Sequence, residues 1–252
     1  MFRLLILFLA LTLLPLSGTA EAPVTFADDI SGVYTWPEGA SVEDASYVYR
    51  YRYPQLAGDS PLALTFNNIY QYEESDALGF ECPMTGSDHD PALGQMLVMI
   101  DYEITHQSDE YISVLITKVV LVGDSVSGIT KAHTFTLTGE NAGTVTSLPY
   151  LLGLMEDAET DEWYIERQTA KADACAREMV WALIEQAMLD PELQVYEDLT
   201  FEEFEWGFYP EEDFFLDREG NFVFFVQDGV IAPPEAGPFF FTISLDELLD
   251  EI

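Results

Sequence analysis

A serine follows the apolar run 119–122 in the segment Gly123-Asp124-Ser125. Small residues at the end of a strand can present a hydroxyl, and Ser125 would then be a nucleophile for acyl transfer. That chemistry needs a histidine within hydrogen-bond reach to take the proton. The chain has three histidines, His89, His106 and His133, and none follows residue 133. The competing reading is a polar turn between two strands, which Gly, Asp and Ser favour by themselves. Asp88-His89-Asp90 is the best local cluster for a metal, but a zinc site there needs ligands from elsewhere in the chain. Asp217-Arg218-Glu219-Gly220 offers too few alternating oxygens for a calcium loop. Any two of the 46 acidic residues could serve as a glycosidase pair by type, so type alone selects none. No catalytic residue, cofactor or metal ligand is therefore assigned from sequence.

The two cysteines, Cys82 and Cys175, carry the next possible chemistry. In an exported chain the default is one disulfide between them. It would enclose a long loop, and chain entropy puts such a closure at roughly 4–5 kcal/mol. The alternative is two buried free thiols. Export itself is read from the N-terminus. Arg3 precedes an apolar run at 4–16, and Ser17-Gly18-Thr19-Ala20 places small residues at a cleavage site. This predicts a signal peptide over residues 1–20 and a periplasmic or secreted mature chain with no membrane insertion.

Charge bounds the partners. The chain carries 46 acidic residues against 9 basic ones, a formal net charge of −37. Nucleic acid is excluded as a partner, because neutralising phosphates needs Lys and Arg. Two readings of the acidity stand: a solvated surface coat, or a field that steers a basic partner. Apolar residues make up 48% and aromatics 13%, so the chain has the material for a core and is not an acidic disordered tail.

The elements that must position these residues follow from periodicity. Residues 21–40, rich in small residues, read as an extended leader. Residues 45–53 place Tyr47, Tyr49, Tyr51 and Tyr53 on one face, the period of a strand. Ser60-Pro61 starts a helix with a buried stripe of Leu62, Phe66, Ile69 and Tyr70, ended by Gly79 or by Cys82-Pro83. Residues 95–105, 111–122 and 128–137 read as an antiparallel meander. Residues 161–189 form the longest helix candidate, its apolar face running from Trp163 to Ala187 and stopped by Asp190-Pro191. A short helix at 201–206 follows, then a hairpin at 214–226, a strand at 238–244 and a final helix at 245–252. Strands and helices come in blocks, which predicts an α+β fold with an antiparallel sheet packed against two or three helices. Residues 41–155 and 156–252 are the expected subdomains, packed as one unit. The aromatic runs belong mainly in the core. Trp206, Phe208 and Tyr209, just before Pro210, are the expected exposed exceptions and the candidate partner-binding surface.

The order of several segments resembles the extracytoplasmic module of the anti-sigma-V family, which also occurs in some peptidoglycan deacetylases. Tyr53-Pro54-Gln55-Leu56 followed by Phe66-Asn67-Asn68-Ile69 is similar to its N-terminal part, and Tyr111-Ile112-Ser113-Val114 to its central strand. Gly143, Thr146 and Leu148 fit the turn and helix start after its sheet. Ile231-Ala232-Pro233 and Gly237 fit its closing loop. Gly229 stands where that family has an aromatic, and Ala132-His133 is at most a remnant of its glycine-alanine-histidine turn. No sigma-binding segment or membrane anchor accompanies the module here. The resemblance implies an exported, non-enzymatic binding module. It implies as partner a basic envelope protein such as a lysozyme-type muralytic enzyme, or a cell-wall glycan. Gly123-Asp124-Ser125 also resembles the nucleophile block of GDS-type lipases and esterases, implying as the alternative an envelope hydrolase using Ser125. That family's late Asp-x-x-His and its Asn-Asp oxyanion block are not present.

Overall fold

The computed structural model describes residues 24–139, 141–155 and 161–252; the expected signal peptide lies outside them. The fold is α+β and is built on two sheets, one of five strands in the order β1-β2-β3-β4-β5 and one of three in the order β6-β7-β8. The strands of the first are β1 (Ile30–Trp36), β2 (Tyr47–Tyr53), β3 (Met96–Gln107), β4 (Tyr111–Val122) and β5 (Ser125–Thr136). Those of the second are β6 (Phe214–Leu216), β7 (Phe222–Val226) and β8 (Phe239–Ile243).

The α+β fold with antiparallel sheet expected from the sequence is borne out, with two features the sequence did not show. The aromatic hairpin at 214–226 builds a separate sheet with β8. In the first sheet β2 runs parallel to β3, Tyr49 opposite Val98. A parallel pair needs a crossover, and the helices between these strands supply it. The expected leader is corrected. Seven of its residues are strand β1, which pairs antiparallel with β2 along its whole length.

Helix α1 (Pro61–Asp76) begins where the Ser60 hydroxyl accepts from the Ala63 N–H and Pro61 occupies the first turn. It buries Ala63, Phe66 and Tyr70 against the sheet. Phe66 meets the Phe135 ring at 4.5 Å between centroids, and Tyr70 stacks on Tyr53 at 5.8 Å. The helix does not stop at Gly79 or Cys82-Pro83. A π-helical turn (Ala77–Glu81) carries it into α2 (Cys82–Asp88). Pro83 lacks the N–H that a regular helix needs there. It falls in the first turn of α2, after the register has shifted.

The second sheet is apolar on both faces, and each face has its own cover. Phe214, Phe222 and Phe224 join the buried face of α4 (Glu162–Ala187), where Ala172, Ala176, Val180 and Ile184 lie. Trp163, expected on that face, is 67% exposed. Phe215, Val223 and Phe225 turn the other way and pack on Leu115 and Ala132 of the first sheet. Short helices α3 (Leu148–Leu151), α5 (Phe201–Trp206) and α6 (Leu245–Glu251) close the second core. Burying the Phe222 and Phe224 side chains alone contributes about 1.5–3 kcal/mol each before entropy is counted.

A buried hydroxyl helps to tie the two sheets. Ser113, fully buried on β4, has its Oγ 2.8 Å from Thr134 Oγ1 and accepts the Leu216 N–H at 3.1 Å. Ser113→Ala leaves two buried polar groups short of a partner. We expect urea unfolding to show a loss of about 1–3 kcal/mol with an unchanged slope.

Candidate functional site

Helix α5 shapes the surface on which the sequence placed its partner-binding residues. Thr200 caps it, and Glu203 returns the bond to the Thr200 N–H, a complete capping box. Phe204 and Phe208, four residues apart, fall on the inner side and stack at 5.1 Å. Phe208 also meets Phe224 edge-on at 6.1 Å. Phe208 is fully buried, so its assignment to the exposed surface is corrected: it anchors the helix end to the second core. Trp206 and Tyr209 point outward and are 76% and 56% exposed. The Tyr209 hydroxyl donates to the Trp206 carbonyl at 3.1 Å, which holds the two residues together. Glu202, Glu205, Glu211 and Glu212 flank them in sequence and are exposed.

The aromatic pair is fastened to the rest of the molecule through Asp213, a buried carboxylate. Its Oδ2 accepts the Tyr209 N–H at 2.8 Å and its Oδ1 accepts from Gln227 Nε2 at 3.2 Å. The Gln227 amide in turn pairs with the Thr130 backbone in both directions, at 3.0 and 2.7 Å. It acts like a short extra strand on the edge of β5. Burial pushes the Asp213 carboxyl up to about 6, against the pull of the two donors.

The other candidate residues are not brought together. Gly123 and Asp124 are the two-residue turn of the β4–β5 hairpin, with Val122 paired to Ser125 and Gly123 at φ +59°. Ser125 is exposed on the strand end. The histidines are engaged elsewhere. His89 Nε2 donates to Gly94 O at 2.8 Å, and His106 Nδ1 donates to Asp217 O at 2.7 Å. His133 lies 3.3 Å from the Tyr70 hydroxyl and is held down to about 4, by burial first and then by Lys131. Asp90 caps its own turn through the Ala92 N–H, and Asp217 accepts from Glu219 N and Asn221 N in a local turn. Among the described residues no group of three or more His, Cys, Asp or Glu is placed to hold a metal ion.

The Cys82–Cys175 disulfide expected from the sequence is not formed; both are buried free thiols. They belong to different cores, Cys82 to that of the first sheet and Cys175 to that of the second. Tyr47 donates to the Cys82 sulfur at 3.7 Å, and Cys175 donates to Leu248 O at 3.8 Å. Burial raises the Cys82 thiol to about 11 and pushes Cys175 upward too, so neither is a ready nucleophile.

One feature was not expected from the sequence. Between α1 with its π turn and the exposed part of the first sheet lies a cleft of about 810 Å³. Ile100, Ile116, Tyr49 and Tyr53, all buried, form its floor. Lys118 and Lys131 stand on neighbouring strands at its sides, Lys118 paired with Glu81 and Lys131 3.9 Å from Glu73. The available signal was that two of the three lysines sit at alternate positions of adjacent apolar strands, a placement that costs burial of their stems.

No family model matches the sequence, and no curated protein does. The structure is similar to the crystal structure of a DUF3298 family protein from Pseudomonas aeruginosa PAO1, with a TM-score of 0.55 and 11% identity over 90% of this chain and 93% of that one. It also resembles a member of the DUF3298 family from Bacteroides fragilis, at a TM-score of 0.49 and 14% identity over 91% and 98% of the two chains. The fold is thus that of a DUF3298-type module.

Two measurements check the site. Thiol titration in guanidinium without reductant should count two thiols per chain, and adding reductant should leave the melting temperature unchanged. The second concerns pH. The native state holds the Asp213 proton more tightly than the unfolded state, whose carboxyl titrates at its ordinary 3.8. The Asp213 contribution to stability therefore rises as pH falls from above 6 toward 4, by about 3 kcal/mol at most. Asp213→Asn carries no such proton, and comparing it with wild type cancels the titration of the other acids. The stability of Asp213→Asn relative to wild type should improve from pH 4 to pH 7. A difference that stays flat over that range would refute the raised pKa.

Proposed function

We propose that this chain is a non-enzymatic binding module of the cell envelope that docks a basic protein on Trp206 and Tyr209. The observation that carries the reading is a pair of exposed aromatics on a rigid base. Two large aromatics stand exposed among acidic residues, while Phe204, Phe208 and Asp213 lock the backbone beneath them. Exposed Trp and Tyr on a rigid support are the residue types that dominate binding energy when a partner desolvates them. The net charge of −37 selects the sign of that partner. A field of that size raises the encounter rate with a basic protein, and the apolar contact then sets the lifetime. The sequence resemblance to the lysozyme-binding anti-sigma-V module makes a lysozyme-type muralytic enzyme the partner to try first.

The test is a titration of the protein against lysozyme, with cytochrome c as an equally basic control, at low and high salt. Steering predicts that the on-rate for lysozyme falls steeply with salt while the off-rate changes little. Cytochrome c binding should vanish in high salt and lysozyme binding should survive it. The double change Trp206→Ala, Tyr209→Ala should weaken lysozyme binding at least about thirtyfold, the scale of one hot spot lost. Equal binding of both basic proteins, lost together in salt, would reduce the acidity to a solvated coat and end the proposal.

A further inference from the structure

The cleft beneath α1 lies outside the aromatic surface and shares none of its residues. Its volume of about 810 Å³ falls within the range of small-molecule sites. Its apolar floor of Ile100, Ile116, Tyr49 and Tyr53 can take hydrocarbon. The sides bear charge of both signs. Glu73, Asp76 and Glu81 come from α1 and the π turn, Lys118 and Lys131 from β4 and β5.

These charges are not all spent on each other. The Lys118–Glu81 pair is closed, its two charged atoms in direct contact. Lys131 Nζ and Glu73 Oε1 stand 3.9 Å apart, beyond hydrogen-bond distance, so both keep bonding capacity. Asp76 is exposed and makes no ion pair among the described residues. The wall itself is a π turn, a costly irregularity that recurs at functional sites. Here it sets both Ala77 and Glu81 on the cleft.

The charge of the whole chain decides which ligand suits such a cleft. A simple anion is repelled by a protein of net charge −37. A simple cation is attracted to the entire surface and needs no lysines. A zwitterion feels little of the net field, and it alone uses both Lys131 and Asp76 on the same cleft. We propose that this cleft binds a short zwitterionic peptide with apolar side chains. Its carboxylate meets Lys131, its ammonium meets Asp76, and its side chains lie over Ile100 and Ile116.

Trileucine with free termini, its N-acetyl form and its C-amide form are the probes, with binding read by calorimetry. Free trileucine should bind, and either cap should weaken it about tenfold, the value of one charge-assisted contact. Lys131→Gln should lower the affinity for the free peptide by a like factor yet leave the C-amide unchanged. Asp76→Asn should do the converse and leave the N-acetyl form unchanged. Both positions are exposed, so both variants should keep the wild-type melting temperature, which is measured alongside. Trp206→Ala, Tyr209→Ala should bind trileucine like wild type, which separates this site from the docking surface. No heat of binding at millimolar peptide, or equal affinity for free and capped peptides, overturns the proposal. So does a Lys131→Gln effect that is the same for all three probes.

Discussion

The fold depends on a short hairpin, β6–β7, that has no solvent face. Every residue of β6 and β7 is buried. A sheet of three strands with phenylalanines on both sides cannot stand alone in water, because each side needs a cover. One cover is α4 and the other is the five-stranded sheet, and this sets the order of layers: α1 and α2, first sheet, second sheet, α4. The polar ties follow from the same demand. Where two sheets meet, backbone groups at the seam lose water and must find partners. Ser113 serves the Leu216 N–H, Gln227 serves Thr130, and Asp228 Oδ2 takes the Gly128 N–H at 2.8 Å. The backbone beneath Trp206 and Tyr209 is fastened to this seam, since the Gln227 amide that pairs with Thr130 also holds Asp213.

Local features were legible and long-range choices were not. The helix starts at Ser60, Asp161, Thr200 and Ser244 each carry a side chain that accepts from the first turn. Capping is decided within four residues, so sequence suffices. The tyrosine alternation in β2 and the bounds of β4 are likewise local. The parallel pairing of β2 with β3 was not readable, because a strand's period does not say which neighbour it takes. Strand β1 was missed for a related reason. An edge strand is half-exposed and carries Gly32, which reads as a loop residue in one dimension. In three dimensions Gly32 lies opposite Tyr51, whose ring occupies the space a Cβ would take. The glycine is a strand residue that makes room for an aromatic neighbour.

The cysteines and Phe208 show the same boundary at the level of the site. Counting two cysteines in an exported chain says that they could pair, but pairing needs Cα atoms within about 7 Å, which is a property of the tertiary fold. Here each thiol fills its own core. Phe208 was grouped with its exposed neighbours by proximity in sequence, yet the chain leaves the helix at Gly207 and turns the Phe208 ring onto Phe204 and Phe224. Trp206 and Tyr209 then gain their exposure from Phe208: the buried ring pins the chain so that the residues on either side cannot fold inward.

The extreme charge acquires structural meaning only against this background. Few cations are available, and the fold does not spread them evenly. Arg52 bridges Asp29 and Asp101 at the first sheet's outer edge, and Lys118 and Lys131 line one cleft. The second core has Arg177 beside Asp173. The exposed pairs among these add little stability at ordinary salt. Lys118, its side chain 23% exposed, and Lys131, 60% exposed, stand beside an apolar floor. With three carboxylates they make a small region closer to charge balance than its negative surroundings. Such a region discriminates between ligands by the sign and separation of their charges, and the acidic exterior cannot. On the two proposals, a long-range field with an aromatic anchor would serve a basic macromolecule on one side of the first sheet, and a short-range mixed-charge cleft would serve a small ligand on the other.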